Sequence, residues 1–344
     1  MKKAIFMLAV GAMALTACSE TEVIEEGVQS PAIGFNTNVG KNSRAIDNDN
    51  FAQFFVYGSY KKATTGTVQV FNGTSVTKTD NKWGYTDTRY WIDGATYNFA
   101  AYGVEAGVLP GASAIANYSG GQDLNLGHLE LDGQYQKDIV YASEKDYLAA
   151  AENNKTISFG FKHIVSRLNF TFKSGLPKGY KAEISKVRLS NVRNTGRYQG
   201  SVGKWDQVLR TSEATENQRD VADIAMEFEK NAIGTVDGAD NVEIKSGYAY
   251  VIPYKYANKD VRIIFDVKII NEVGDAVVVR ENMSAAWAPN WAIGTSYAYN
   301  ITINGEAAGL QPIEFAGSID EDDNWDTDQV PDNPEFIIDP GLKY

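Results

Sequence analysis

The residues able to do chemistry in this 344-residue chain are few: one cysteine, Cys18, and two histidines, His128 and His163, beside 44 acidic residues. A lone thiol cannot close an intramolecular disulfide or supply the several ligands of a zinc or iron–sulfur site. A nucleophilic hydrolase needs a nucleophile, a base that is most often histidine, and a group that orients the base. Both histidines sit beside apolar residues, in Leu126-Gly127-His128-Leu129 and Phe161-Lys162-His163-Ile164, outside any G-x-S-x-G or H-E-x-x-H context. Each therefore reads as a satisfied core or strand-end histidine. Glycoside hydrolysis needs only two carboxylates at fixed separation, but the acids concentrate in tethers, turns and the tail. The run from Asp320 to Asp328 offers oxygen ligands at alternate positions. Trp325 stands where a calcium loop of the EF-hand type needs Gly, and the bidentate Glu is missing, so that match is poor. The glycines at 107, 111, 120 and 121 lack phosphate-loop spacing. No enzyme, metal site or cofactor is expected.

Six Trp and 19 Tyr raise a second chemistry, because sugars stack on aromatic rings. A platform around Trp83, Tyr90 and Trp91, or around Trp287 and Trp291, is one use of them. Cores and strand edges of a β-sandwich are the other, and most of these rings fall in alternating strand patterns. A formal net charge of −12, with the 32 basic residues scattered, opposes phosphate backbones, so nucleic acid is not an expected partner.

Lys2 and Lys3 precede an apolar run from Ala4 to Leu15. That run is too short to cross a bilayer core of about 30 Å as a helix, so residues 1–17 read as a secretory signal. It ends in Leu15-Thr16-Ala17-Cys18, which resembles the lipobox of bacterial lipoproteins. The resemblance implies that Cys18 is lipidated and anchors the protein to a membrane; the alternative is a buried structural cysteine behind an ordinary signal. The acids after it (Glu20, Glu22, Glu25, Glu26) resemble the surface-export signal of lipoproteins in some anaerobic Gram-negative bacteria, or form a solvated tether.

The rest of the chain reads as short strands between Gly, Asn, Asp and Ser clusters, the spacing of an all-β sandwich or barrel. Ile33, Phe35 and Val39 mark a first strand, followed by the polar stretch Lys41-Asn42-Ser43-Arg44-Ala45 and a turn at Asp47-Asn48-Asp49-Asn50. Phe51 to Tyr60 is apolar on both faces, as a central strand is. Further strands are expected at 68–71, 83–85, 97–102 and 138–142. Ser143 to Ala151 reads as a short helix capped by Ser143, and Asp220 to Asn231 as a second. Ile157, Phe159 and Phe161 alternate, then Leu168, Phe170 and Phe172 alternate on another face, so one core hands over to a second between them. Strands resume at 182–192, 248–254, 261–270, 276–281 and 297–303, the third and fourth joined as a hairpin through Asn271 to Asp275. No fixed-period repeat is evident, although the two halves read as sandwiches of similar type. From Ala316 the chain turns acidic and Pro-bearing, an extended tail with one apolar island, Phe336-Ile337-Ile338.

The lipobox start, the A-I-G-F segment followed by K-N-S-R-A, the centre F-K-H-I-V-S-R-L-N-F-T-F and the late W-A-I-G-T-S-Y-A-Y-N-I-T-I together resemble the fimbrillin family, from Met1 to about Phe315. These are lipoprotein-derived fimbrial subunits of anaerobic Gram-negative bacteria, the type V pilins. The resemblance implies two transthyretin-like β-sandwich domains and export to the outer membrane as a lipoprotein. It also implies cleavage by an arginine-specific protease and polymerisation by donation of a strand to the next subunit. On this chain it implies cleavage between Arg44 and Ala45, with a C-terminal donor drawn from Leu310, Ile313, Phe315 and Ile319 or from Phe336, Ile337 and Ile338. Arg44 is otherwise an ordinary loop arginine. The expected units are a signal at 1–17, a tether and first strand at 18–44, sandwiches at 45–163 and 164–315, and a tail at 316–344. The expected partners are like or other fimbrial subunits, the outer membrane before processing, and host glycans or proteins. The alternative is a surface lipoprotein that never polymerises and binds glycans through exposed rings.

Overall fold

In a computed structural model the described residues are 30–39, 46–63, 65–105, 107–119, 121, 123–150, 156–206, 221–226, 228, 233–237, 243–304, 314–319 and 337–339. The fold is all-β. The first half carries β1 (Phe35–Val39), β2 (Gln53–Lys61), β3 (Thr67–Thr79), β4 (Lys82–Gly84), β5 (Thr96–Val104), β6 (Ile115–Ser119), β7 (Asp123–Glu130), β8 (Ile139–Leu148) and β9 (Ile157–His163). The second carries β10 (Ser166–Gly175), β11 (Lys181–Arg193), β12 (Thr195–Gln199), β13 (Lys204–Asp206), β14 (Val221–Ala225), β15 (Ile233–Asp237), β16 (Ile244–Lys245) and β17 (Ala249–Val251). After these come β18 (Val261–Ile270), β19 (Ala276–Trp287), β20 (Ser296–Asn304), β21 (Glu314–Ile319) and β22 (Ile337–Asp339).

One sheet runs β1-β9-β8-β5-β2-β3-β4. Phe35, at one end of this order, has its ring 5.4 Å from Phe71 of β3 and 5.6 Å from Tyr85 just past β4, so the sheet curls on itself. Its inner face carries Phe54, Val56, Phe71, Phe99, Phe159 and Phe161. β2 serves both faces, since Phe54 and Val56 point into that core while Tyr57 enters a second one with Ala100, Tyr102 and Tyr141. Gly58 is required between them, because a Cβ there would lie 2.7 Å from the Phe99 ring. A small sheet, β13-β12-β7-β6, covers the outer face and draws strands from both sides of residue 163.

The second half is a sandwich. The sheet β16-β10-β20-β21, with β17 also on β10, supplies Leu168, Phe170, Phe172, Tyr299 and Ile301 to its core. The sheet β14-β11-β18-β19-β22, with β15 also on β11, supplies Ile184, Leu189, Ile263, Phe265 and Trp287 to the same core. The hairpin expected at Asn271 to Asp275 joins β18 to β19. The handover also appears: β9 alternates buried and exposed, whereas β10 is buried on both faces through Phe172.

Among the described residues neither expected helix forms, and most of each is strand. Residues 143–148 belong to β8, where Glu144 and Tyr147 pair with Phe99 and Tyr97 of β5. Residues 221–225 form β14 on β11, with Ile224 and Met226 buried two apart, the period of a strand. In both places Ala, Glu and Leu favour helix only weakly, and pairing to an apolar neighbour outweighs that preference. Among the described residues the helical structure is a single 3₁₀ turn, Gly133–Tyr135.

Candidate functional site

Among the described residues β1 is an edge strand whose one strand neighbour is β9, and the two run parallel, from Phe35 opposite Ile157 to Val39 opposite Phe161. An edge strand is normally polar or short, but this one carries Phe35 and Val39 into the core, and Ile33 just before it is buried too. The Phe35 ring meets five others, including a stacked Phe159 at 5.7 Å. Burial of three such side chains contributes about 1.5–3 kcal/mol each. Asn36 and Asn38, between them, are exposed. The strand is thus a plug: apolar teeth on one face, polar residues on the other, and one ladder to the rest of the sheet.

Its ends are held through their own backbone groups rather than through their side chains. At the far end the Asn48 side chain accepts from the Val39 N–H at 2.9 Å and donates to the Val39 carbonyl at 3.1 Å. At the near end the Tyr85 hydroxyl donates to the Ile33 carbonyl at 2.7 Å, and Ile157 N–H donates to the Gly34 carbonyl at 2.9 Å. Before that, Ala32 bridges Tyr90 in antiparallel fashion: Trp91 N–H donates to Pro31 and Ile33 N–H to Arg89.

That bracket rests on a corner, and the corner occurs twice. Trp91, Gly94, Tyr97 and Phe99 recur as Trp291, Gly294, Tyr297 and Tyr299. In each, a glycine at φ near +70° or +64° turns the chain, and the tyrosine hydroxyl accepts from a backbone N–H, Ile92 at 3.0 Å or Ala292 at 2.9 Å. In the second corner the bracketed segment is 254–256: Lys255 bridges Asn290, Trp291 N–H donates to Tyr254, and Tyr256 N–H donates to Pro289. Reading the sequence for strand periodicity missed this pairing; the signal that finds it is W-x-x-G-x-x-Y followed two residues later by a second aromatic.

Cys18, Arg44, Ala45, Leu310, Ile313 and Phe336 lie outside the described residues, as does the acidic run 320–328. Phe315 and Ile319 are on β21, which pairs antiparallel with β20, and Ile337 and Ile338 are on β22, which pairs with Ala286 and Ala285 of β19. Both donor candidates therefore have strand partners in their own chain.

The aromatic platforms do not form. Trp91, Trp287 and Trp291 are core residues, Trp83 is half-buried against Phe51 and Phe54, and of the five rings only Tyr90 is exposed, at 54%. Large flat rings bury more apolar area than any other side chain, and the corners consume them. His128 is neither a core nor a strand-end residue: it is exposed, at φ 52°, where β7 bulges against β12. His163 is fully buried, its Nδ1 3.0 Å from the equally buried Asp138 carboxylate, between the two halves. Tyr250 packs near it, its phenol pushed far up by burial and by the charges of Asp138 and Glu105. Among the described residues no His, Cys, Asp and Glu cluster suits a metal ion, and no helix is long and apolar enough to cross a membrane.

Among curated proteins no sequence matches the chain. Solved structures resemble it at low identity. A cell adhesion protein, so described provisionally, from Bacteroides ovatus is 15% identical over 87% of this chain and 99% of its own, with a TM-score of 0.49. A second from Bacteroides uniformis is 15% identical over 84% and 97%, with a TM-score of 0.46. The fimbrial anchor protein Mfa2 from Porphyromonas gingivalis is 11% identical over 84% and 98%, with a TM-score of 0.34. The family match is of another order: residues 37–320 fit the fimbrillin-like family, and the chain belongs to it.

Proposed function

We propose that this fimbrial, adhesin-like surface protein is a structural subunit rather than an enzyme, exported as a lipoprotein on Cys18 and matured by cleavage after Arg44. The cut detaches lipid and β1 together, since Ile33 to Val39 precede Arg44 in the chain. Loss of β1 leaves a groove floored by Phe54, Phe71, Phe99 and Phe159, with the β9 ladder unpaired. An apolar floor and open backbone groups in water are costly, and a strand from a neighbouring subunit relieves both. The observation that carries this reading is the construction of β1, an edge strand held by one ladder yet buried like a core strand. The units we assign are the signal at 1–17, the removable 18–44, sandwiches at 45–163 and 164–315, and the tail at 316–344. The protein acts at the outer membrane and in the fimbria, with like or other subunits as its partners.

The test is the mature N-terminus in cells, read by mass spectrometry. Polymerised protein should begin at Ala45, and Arg44→Ala should accumulate lipidated monomer beginning at Cys18. Polymers that still carry Cys18, or an Arg44→Ala chain that polymerises normally, would sink the reading.

A further inference from the structure

The bracket that holds the near end of β1 also covers a peptide bond. Of the arginines among the described residues, Arg167, Arg188, Arg193, Arg197, Arg262 and Arg280 lie within β10, β11, β12, β18 and β19, whereas Arg89 lies outside any strand. It ends an exposed loop, Thr86-Asp87-Thr88-Arg89, and Tyr90 after it is exposed as well. Its guanidinium, at the surface, donates to the Asp87 carbonyl at 2.7 Å. Exposed loops of small polar residues are where proteases cut, provided that the burial and bonding of the backbone allow it. At this loop the bonding forbids it while residues 31–33 are in place. The Arg89 carbonyl accepts from Ile33 N–H at 2.8 Å, and Trp91 N–H donates to the Pro31 carbonyl at 3.2 Å, one on each side of the Arg89–Tyr90 bond. Resting on the maturation reading above, we propose that Arg89–Tyr90 is a second cleavage site for an arginine-specific protease, masked by residues 31–33 and opened when β1 departs.

The mask acts on the reacting atoms themselves. Hydrolysis breaks the bond between the Arg89 carbonyl carbon and the Tyr90 nitrogen; water gives its hydroxyl to that carbon and its remaining proton to that nitrogen. To speed the step a protease must take the carbonyl oxygen into its own oxyanion hole, with donors about 2.7–3.1 Å away, and Ile33 N–H already holds that oxygen at 2.8 Å. It must also lay the flanking residues along its cleft as an extended strand, and the antiparallel bridge of Ala32 to Tyr90 takes that edge. Tyr85 completes the mask. Its hydroxyl donates to the Ile33 carbonyl at 2.7 Å and accepts from Arg89 N–H at 3.3 Å, and its ring lies 5.6 Å from Phe35. Apart from the Tyr85–Arg89 bond, each of these contacts uses a residue ahead of Arg44, so one cut after Arg44 removes them together. The same protease thereby tells filled grooves from empty ones: a subunit with a strand seated against residues 89–91 is spared, and one left open is nicked between β4 and the Trp91 corner.

Digestion of the full chain with a purified arginine-specific endoprotease, followed by mass spectrometry of the products, reads each bond separately. In Arg44→Lys, where β1 stays attached, the Arg89–Tyr90 bond should persist. In the unaltered chain it should be cut about tenfold faster or more, after the cut behind Arg44, because cleavage follows the population of the open form. An excess of a peptide of residues 30–40 should slow it again. Arg89→Lys should lose the second cut and keep the first. Ile33→Pro in the Arg44→Lys chain deletes the N–H that covers Arg89 without any cut at 44, and should by itself expose the bond. Arg188 and Arg262, each paired on both sides within its sheet, should stay uncut in that variant and so certify its fold. An Arg44→Lys chain nicked at 89 as fast as the unaltered one, or a chain that has shed β1 and keeps Arg89–Tyr90 whole, would overturn the mask and leave the groove reading standing. An unaltered chain never cut behind Arg44 would sink the groove reading, and Ile33→Pro would then decide the mask alone: a bond still whole in that variant would overturn it.

Discussion

The two halves build one corner each from the same residues, and differ in what the corner holds. Trp91 grips Pro31, which lies ahead of Arg44, while Trp291 grips Tyr254, which continues without interruption into β18. Under the proposed cleavage after Arg44, one corner binds a strand that the cut would release, and the other binds one the chain keeps. A smaller difference follows from position 99. Trp291 Nε1 donates to the Tyr299 hydroxyl at 2.9 Å, whereas with Phe99 in that place no described residue accepts from Trp91 Nε1. The comparison teaches that the bracket around residues 31–33 has no special binding chemistry: the same corner and the same backbone bonds hold residues 254–256 inside the second half.

The strongest way to break this comparison is to truncate the occupant in each half. Phe35→Ala and Tyr256→Ala each remove a buried ring, and each should cost about 3–5 kcal/mol in the uncut chain, read as a shifted urea midpoint. Tyr256 loses in addition the bond its hydroxyl accepts from Arg193 N–H at 2.8 Å. After cleavage behind Arg44 the Phe35 penalty should vanish, because β1 has left, and the Tyr256 penalty should persist undiminished. A Phe35→Ala cost that survives the cut would mean that β1 stays in place after cleavage.

A middle-sized test compares the tyrosine hydroxyls. Tyr97→Phe and Tyr297→Phe each leave a backbone N–H without its acceptor, at about 1–3 kcal/mol. The same residues give the protein an alkaline limit. Burial pushes the Tyr97 phenol up to about 12, the bond from Ile92 N–H opposing it, and raises Tyr297 in the same way. A phenol with a raised folded-state pKa keeps its proton longer when folded, so its contribution is whole below pH 10 and is lost as pH climbs toward 12. Stability followed by fluorescence should fall across that window, and fall less steeply in Tyr97→Phe. Equal slopes in wild type and variant would show that other buried phenols, such as Tyr198, set the limit.

Strand positions were legible where alternation was strong. The strand expected from Phe51 to Tyr60 is the central β2, Gln53–Lys61, apolar on both faces, and Val261 to Ile270 pairs through the turn that Asn271 to Asp275 announce. Residues 143–148 were illegible because Glu, Lys and Leu report local preference, while their conformation is set by β5, more than forty positions away in the chain. The plug was half legible. Its teeth at 33, 35 and 39 are visible as alternation, but that it runs parallel to β9 depends on a contact more than a hundred residues distant. The platform failed because ring counts carry no information on which side of a sheet a ring faces.

The finest comparison uses the glycines that turn each corner. Gly94 sits at φ 70° and Gly294 at φ 64°, the left-handed region where a Cβ meets the following carbonyl. Around Gly94 a Cβ would touch nothing within 4 Å, so Gly94→Ala measures backbone strain alone. That strain is roughly 1–2 kcal/mol, and the stiffer unfolded chain offsets about 0.4–1 kcal/mol of it in the folded state's favour. The net loss should be about 1 kcal/mol in the thermal or urea midpoint, and similar for Gly294→Ala if the corners are equivalent. Asn tolerates this region better than Ala because its amide bonds locally, so Gly94→Asn should lose less than Gly94→Ala. The reverse order would mean that the left-handed dihedral angle is not what keeps the glycine at this corner.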